Sequence, residues 1–254
     1  MNFNIGNLVT RKSYNDDIVF KIINIENNIV YLKGINVRLW ADCTIDDLNI
    51  SSEKEEEIIL TSDREIDIDV DLNRDEYFYL PGKILHIDGD KEYLDRCMSF
   101  YKKNNVLAHG YYEKEEKIST KIVDYIKKVN ADIVVITGHD SFSKDNNNYK
   151  NSSYFISAIK ETRKYEKSHD KLIIIAGACG SNYEELIKSG ANFASSPKRI
   201  NIHALDPAII ATKISLSLKN EDIDLIGILS KTKYGSDGMG GIKTKGTMYI
   251  GYPR

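Results

Sequence analysis

Cys179 is the residue of this sequence whose surroundings best suit nucleophilic chemistry. It follows the apolar stretch 172–176 and has the small residues Gly177 and Gly180 beside it. Small neighbours let the backbone of a substrate approach a thiol closely. The sequence therefore predicts a cysteine nucleophile, and the alternative is a small buried hydrophobic residue.

A helix is predicted to begin just beyond this cysteine, because Ser181 and Glu184 have the spacing of a capping box. A thiol at a helix N-terminus lies in a positive partial field, which lowers its pKa and favours the thiolate. Backbone N–H groups beside a nucleophile can hold the oxyanion that forms on attack. We expect the N–H of Cys179, together with that of Gly138 or Asp140, to form this oxyanion hole.

His139 is the expected general acid and base. It follows the predicted strand 132–137, and Cys179 follows the next predicted strand along the chain. If the two strands are neighbours, their axes lie about 4.8 Å apart, and loops leaving the same sheet edge can bring imidazole and thiol together. The imidazole would then protonate the leaving amine. The alternatives are a histidine with only a local structural role, and His203 as the base.

Two aspartates follow the predicted strand 83–87, with a glycine between them. A carboxylate at this position could receive an Arg or Lys side chain of a substrate. Asp90 directly precedes a predicted helix, which favours an N-cap role for it and a pocket role for Asp88. Ser195 and Ser196, at the end of another predicted strand, complete the expected substrate-binding set.

Three regions of the chain are predicted to position these residues. Residues 1–50 contain short strands rich in Ile, Val, Tyr and Trp, which indicates a small SH3-like β-barrel. Residues 51–80 form an acidic linker, since 51–76 hold eleven acidic residues against three basic ones. In residues 81–254 strands alternate with helices, which predicts a flavodoxin-like, mostly parallel sheet with helices on both faces and ligands at the carboxyl ends of its strands.

Composition excludes several classes of function. A net charge of −3 over 254 residues gives no overall basic footprint for nucleic acid. No apolar stretch approaches the roughly 18 residues of a membrane span, and no signal peptide is visible, so a soluble protein is expected. Three cysteines suit a reducing cytosol, with Cys43 and Cys97 read as buried apolar residues. Metal-ligand and phosphate-loop motifs are missing, so no cofactor is expected.

The blocks 132–139 and 172–179 resemble those of caspase-like cysteine peptidases, in which a strand ends in His and the next strand ends in Ala-Cys. In that group a Gly usually follows the His, whereas Asp140 follows it here and Gly138 precedes it. The resemblance implies a Cys–His peptidase. It also implies that residues after the first strand line the S1 pocket, which supports Asp88 or Asp90 and a basic P1 residue.

Nearly the whole chain resembles the YabG family of sporulation-specific proteases. The similarity is carried by residues 5–6, 11–14, 86–90, 136–140, 176–179, 190–197, 201–207 and 240–242. It implies a cysteine nucleophile at Cys179 and processing of spore-coat and related spore proteins. It also implies action in the cytoplasm of the mother cell or at the spore coat.

We therefore expect a cysteine endopeptidase that cuts after Arg or Lys and cleaves itself in the acidic linker at Arg64 or Arg74, where proteolysis concentrates. One alternative is an amidotransferase-like or DJ-1-like hydrolase that uses His203, since Gly177, Cys179 and Ser181 partly match a nucleophile elbow. The other alternative is a non-enzymatic spore-assembly protein.

Overall fold

Residues 3–64, 78–143 and 148–252 are described by the computed structural model. The chain divides into two units, Met1–Asp67 and Ile68–Arg254. Within the described residues, no helix has the length and apolar character that crossing a bilayer requires.

The first unit contains a five-stranded antiparallel sheet whose strand order is β4-β3-β2-β1-β5. Its alternating apolar residues enclose a core of Val9, Phe20, Ile22, Val30, Leu32 and Leu48. Short 3₁₀ helices occupy Lys12–Tyr14 and Ile45–Asp47. The strands are β1 (Leu8–Arg11), β2 (Phe20–Glu26), β3 (Ile29–Gly34), β4 (Trp40–Thr44) and β5 (Leu48–Ile50). In this part of the chain β4 and β5 are the sheet edges, so closure into a barrel stays a prediction.

The acidic stretch is partly helical, because α1 spans Glu55–Arg64 within the first unit. Three glutamates lie in its first turn, where the helix dipole favours negative charge. Lys21 Nζ pairs with Glu55 Oε2 at 2.9 Å, and the Asn36 amide donates to the carbonyl of Ile58 at 3.3 Å. Residues 55–64 of the expected acidic linker are thus helical, and a linker role for 51–80 stays a prediction. The remainder of the expected linker, including Arg74, lies largely outside the described residues.

The second unit is built on a six-stranded sheet of order β14-β13-β12-β9-β7-β8, flanked by helices. Its described strands are β6 (Phe78–Leu80), β7 (Ile84–Asp88), β8 (Ala108–Tyr112), β9 (Ile133–Thr137), β10 (Phe142–Ser143), β11 (Asn148–Tyr149), β12 (Ile173–Ala176), β13 (Phe193–Ser195), β14 (Met239–Gly241) and β15 (Tyr249–Gly251). Its described helices are α2 (Lys91–Lys103), α3 (Glu115–Val129), α4 (Ser152–Tyr165), α5 (Tyr183–Lys188), α6 (Asp206–Ser215) and α7 (Leu225–Leu229).

Five strands of this sheet, β8, β7, β9, β12 and β13, are mutually parallel, and β14 joins antiparallel. In chain order the parallel strands are arranged 2-1-3-4-5, the order of flavodoxin-like sheets. The predicted, largely parallel α/β sheet is confirmed. Outside it, β10 pairs with β11, and β6 pairs with β15.

The central strands β7, β9 and β12 are buried along their whole length, as expected for a sheet covered on both faces. Alternate residues such as Leu85, Val134 and Ile174 join the apolar cluster with α3, α4 and α5. The intervening residues face the other side of the sheet, where α2 and α6 pack. The carboxyl ends of β7, β9 and β12 therefore meet at one edge between two helical layers.

Candidate active site

The register of the sheet brings the loops of His139 and Cys179 side by side. β9 pairs in parallel with β12, and Ile136 lies opposite Ala176. His139 and Cys179 each lie three residues beyond this pair. The sequence-based condition that their strands are neighbours is therefore met. On its other side β9 pairs with β7, which ends at Asp88.

The Cys179 thiol is fully buried beneath a backbone segment that follows β13. The N–H of Ile202 donates to Sγ at 3.3 Å, and the carbonyl oxygen of Ile202 lies 3.7 Å from Sγ. A hydrogen-bond donor at this distance favours negative charge on sulfur. The same contact covers the sulfur, so this arrangement both polarises and shields the thiol.

The predicted capping box beyond Cys179 is wrong. α5 begins at Tyr183, and its N-cap is Asn182, whose side chain accepts the N–H of Glu185 at 3.3 Å. The Ser181 hydroxyl is engaged elsewhere, because it accepts the N–H of Ala178 at 2.9 Å and donates to a carboxylate. The helix starts four residues beyond the thiol and is only six residues long. Its N-terminus therefore does not provide the field expected from the sequence.

That carboxylate belongs to Asp140, which holds the loops after β9 and β12 together. Its Oδ1 accepts the N–H groups of Ser141 and Asn151, and its Oδ2 accepts the hydroxyls of Ser152 and Ser181. Burial raises the pKa of Asp140 although these four donors act in the opposite direction. The side chain of Asp140 thus has a positioning role, and an oxyanion role for its backbone N–H stays a prediction.

His139 is oriented by a carboxylate and by an aromatic ring. Its Nε2 lies 2.9 Å from Asp90 Oδ2, and its ring centroid lies 5.5 Å from that of Tyr93. The other oxygen, Oδ1 of Asp90, accepts the N–H groups of Glu92 and Tyr93 at 2.9 and 3.1 Å, which confirms the predicted N-cap of α2. A histidine paired with a carboxylate matches the base and orienting group of nucleophilic catalysis.

Asp88 is fully buried in a hydrogen-bonded array at the end of β7. Its Oδ1 accepts the N–H of Asp90 at 2.9 Å, and its Oδ2 accepts the hydroxyl of Thr137 at 2.8 Å. His86 bonds the same hydroxyl through Nε2 at 2.8 Å and bonds Tyr101 OH through Nδ1 at 2.9 Å. Asp88 and Asp90 are both buried in this conformation. The preference for Arg or Lys, which rested on these carboxylates, stays a prediction.

Ser195 and Ser196 shape the turn that carries the thiol. Ser195 Oγ donates to the carbonyl of Ala178 at 2.7 Å. Ser196 Oγ accepts the N–H of Gly180 at 2.9 Å and lies 2.7 Å from the carbonyl of Ile200. Both residues are fully buried, so these contacts support the turn, and substrate binding by the two serines stays a prediction.

His203, the alternative base, is occupied in a turn that leads into α6. The ring nitrogen Nδ1 of His203 accepts the backbone N–H of Leu205 at 3.2 Å. The backbone N–H of His203 donates to Asp206 Oδ2 at 2.9 Å. Its neighbour Ile202 contacts the Cys179 sulfur, which places the turn of His203 near the thiol as well.

Glu115, the first residue of α3, belongs to the site but was missed in the sequence. Its Oε1 accepts the N–H of His139 at 2.9 Å. A Cβ added at Gly89 or Gly138 would lie 2.3 or 2.6 Å from the same oxygen. Glu115 therefore fills a notch between the ends of β7 and β9, beside the expected oxyanion donor Gly138. In the sequence, the only signal of this close contact is that a glycine follows each of the two strands, Gly89 after β7 and Gly138 after β9.

Among the residues that the structure describes, no group of three or more His, Cys, Asp or Glu side chains is arranged to hold a metal ion.

Fold and site together define an α/β protein with a buried thiol and a carboxylate-bound imidazole on adjacent loops at the carboxyl edge of a parallel sheet. Comparison with known proteins narrows this class. The sequence model of the family described as "YabG peptidase U57" matches residues 4–67 and 61–253. The curated "Sporulation-specific protease YabG" of Bacillus subtilis (strain 168) is 40% identical over 287 aligned positions, which cover 100% of this chain and 99% of the relative.

The chain belongs to the YabG peptidase family. The resemblance to the YabG family seen in the sequence is thereby confirmed. Among solved structures, the isolated REC domain of RcsB from Salmonella enterica serovar Typhimurium is 14% identical, with a TM-score of 0.37. That match covers 53% of this chain and 88% of the other.

Proposed function

We propose that this peptidase is a cysteine endopeptidase of sporulation whose nucleophile is Cys179 and whose general acid and base is His139. The observation that carries the proposal is the parallel register of β9 and β12, which sets the two residues at matching positions on adjacent loops. Spore-coat and related spore proteins are the proposed substrates. Family membership supports both the peptidase chemistry and its place in sporulation.

The proposed reaction proceeds in two steps. The Cys179 sulfur, having passed its proton to His139, attacks the scissile carbonyl carbon and forms a C–S bond. The imidazolium returns the proton to the leaving nitrogen as the C–N bond breaks. Water, deprotonated by His139, then attacks the thioester, and the carboxylate product and the free thiol are released.

Access to the sulfur requires a local opening. Ile202 covers Sγ, and Cys179 is 0% exposed. A peptide reaches the sulfur only after the segment 200–203 moves away. The proposed cycle therefore begins with a displacement of this segment, and the structure described here is its closed form.

The nucleophile is tested with purified variants and with coat proteins extracted from spores that lack the peptidase. Cys179→Ala is expected to abolish cleavage, because no other group supplies the nucleophile, whereas Cys43→Ala retains full activity as the matched control. Cleavage of the extract by Cys179→Ala would refute the proposal.

His203 supports a second candidate, a hydrolase in which it serves as the base, because Ile202 beside it contacts the thiol. Loss of general acid–base catalysis typically costs about 10²–10⁴-fold in rate. We expect this loss for His139→Ala, while His203→Ala stays within about tenfold. The reverse pattern would establish the second candidate. If the protein were instead a spore-assembly protein without activity, a thiol-directed peptide probe would label all three cysteines slowly and indiscriminately.

Self-processing in the acidic stretch is part of the proposal. Arg64 is the last residue of α1, where helical hydrogen bonding ends. We expect active enzyme to lose an N-terminal fragment on incubation, whereas the Cys179→Ala variant keeps its full-length mass. Intact-mass analysis identifies the new terminus and thus shows whether cleavage follows Arg64 or Arg74. A single full-length mass in the active enzyme would exclude self-processing.

A further inference from the structure

One carboxylate, that of Asp90, serves two neighbours at once. Oδ1 caps α2 by accepting the N–H groups of Glu92 and Tyr93, and Oδ2 lies 2.9 Å from His139 Nε2. The side chains of Asp90 and His139 are 8% and 5% exposed. The pair is thus largely shielded from solvent, where a charge-assisted hydrogen bond is stronger than on an open surface.

Helix capping alone does not account for an aspartate at position 90. Ser, Thr and Asn cap helices about as well as Asp, and each needs only one acceptor atom. In this structure the cap uses Oδ1, and the second oxygen is directed at the imidazole. A carboxylate differs from the other capping groups in having a second acceptor oxygen. In Asp90 this second oxygen contacts His139.

We propose that Asp90 is the positioning residue of the catalytic histidine. This inference rests on the proposed function. By accepting the Nε2–H of His139, Asp90 fixes the ring in the tautomer whose Nδ1 exchanges a proton with the thiol and the leaving nitrogen. It also stabilises the imidazolium that forms between these transfers.

The surroundings hold Asp90 itself in place. Its N–H donates to Asp88 Oδ1 at 2.9 Å, and Asp88 is anchored by the Thr137 hydroxyl at 2.8 Å. Gly89 between the aspartates has no room for a Cβ, which would lie 2.3 Å from Glu115 Oε1. The Tyr93 ring packs against the imidazole. Through these contacts, Asp88 holds the turn that contains Asp90.

The experiment compares Asp90→Asn and Asp90→Ser, both of which keep an N-cap acceptor for α2. Asn turns an amide N–H toward Nε2 and selects the other tautomer, whereas Ser removes the partner of Nε2. We expect both variants to melt close to wild type, to keep KM, and to lose about 100-fold or more in kcat. Asp95→Asn, at an exposed position of the same helix, is the matched control with unchanged kinetics.

A second readout needs no substrate. Nitrogen-15 NMR, recorded at a pH at which the histidine ring is neutral, is expected to show the Nε2–H tautomer of His139 in wild type and the Nδ1–H tautomer in Asp90→Asn. Either a kcat within about threefold of wild type in both folded variants, or an unchanged His139 tautomer in Asp90→Asn, overturns the assignment. Cleavage by Cys179→Ala would instead refute the proposed function, so the two failures are distinguishable.

Discussion

At the scale of single residues, Asp140 shows how much one buried carboxylate can organise. It accepts two backbone N–H groups and two hydroxyls, and these come from the loops that carry His139, α4 and Cys179. Removing a buried acceptor leaves its donors without partners, which costs more than the hydrogen bonds themselves contribute.

We predict that Asp140→Ala lowers the free energy of unfolding by about 2–4 kcal/mol, because four donors lose their acceptor. Urea unfolding followed by circular dichroism measures the change. Asp170→Ala, at an exposed position, serves as the control and should stay within about 0.5 kcal/mol of wild type. Equal stability of the two variants would contradict the positioning role of Asp140.

The pH dependence of this group has a definite sign. Burial raises the pKa of Asp140 above its ordinary value of 3.8, so the folded state binds the proton more tightly than the unfolded state. Its contribution is therefore fully present below that ordinary value and is lost as pH rises through the folded pKa. The stability of wild type relative to Asp140→Asn should therefore fall as pH rises above 3.8, and a rising difference in urea unfolding would contradict this.

At the scale of elements, Arg163 joins α4 to the strands of the sheet. Its guanidinium donates to the carbonyls of Gly190 and Leu172, each at 2.8 Å, and to Asn192 Oδ1 at 2.7 Å. Burial lowers the pKa of Arg163 to about 10, so the group stays charged at neutral pH. The planar fork of arginine reaches several acceptors at once, which a lysine ammonium does not.

We predict that Arg163→Ala destabilises the protein by about 2–4 kcal/mol, since charge-assisted hydrogen bonds to buried acceptors are lost. Arg163→Lys should recover only part of this, because one ammonium group cannot replace the fork. Lys164→Ala is the control, as Lys164 forms only an exposed pair with Glu161, worth about 0–1 kcal/mol. Thermal unfolding of the three variants measures these changes in stability. If Arg163→Lys were as stable as wild type, the role of the guanidinium fork would be contradicted.

At the scale of the whole molecule, the three cysteines differ in how they are buried and in what covers them. Cys43 is half-buried in the first unit, whereas Cys97 and Cys179 are buried in the second. Cys97 lies on α2 within the core, as the sequence predicted. Cys179 lies beneath a segment held by the Ser196 hydroxyl, so its exposure requires only a local opening.

We predict that a small uncharged alkylating reagent modifies Cys43 first in the native protein, and that Ser196→Ala raises the rate at Cys179 by about tenfold. The hydroxyl of Ser196 bridges Gly180 and Ile200, and its loss weakens the closed form. The rate at Cys97 should not change, which separates local opening from global destabilisation. Peptide mass spectrometry measures all three rates, and an unchanged Cys179 rate would contradict the closed-segment interpretation.

Predictions from the sequence succeeded where local chemistry decides the outcome. Apolar runs separated by helical periods indicated a parallel sheet, and an aspartate before a helix indicated the cap at Asp90. They failed where a distant residue competes for a side chain. Ser181 has the spacing of a helix cap, but Asp140 takes its hydroxyl, so Asn182 caps α5 instead.

Glu115 and the pairing of His139 with Asp90 show the same limit. Glu115 and His139 are 24 positions apart, and no local motif indicates that Glu115 accepts the N–H of His139. The contact of Asp90 with His139 spans 49 positions. Both contacts depend on β7 and β9 lying side by side, which the sequence does not encode locally.

The sequence by itself determined the residue types, the order of strands and helices, and the membership in the YabG family, because propensity, burial pattern and motifs act over short stretches. Only the tertiary structure decided that β9 lies between β7 and β12, that Asp90 meets His139, and that Ile202 covers Cys179. The physical reason is that parallel strands pair through long crossovers, so the neighbours at a sheet edge are chosen by packing of the whole domain.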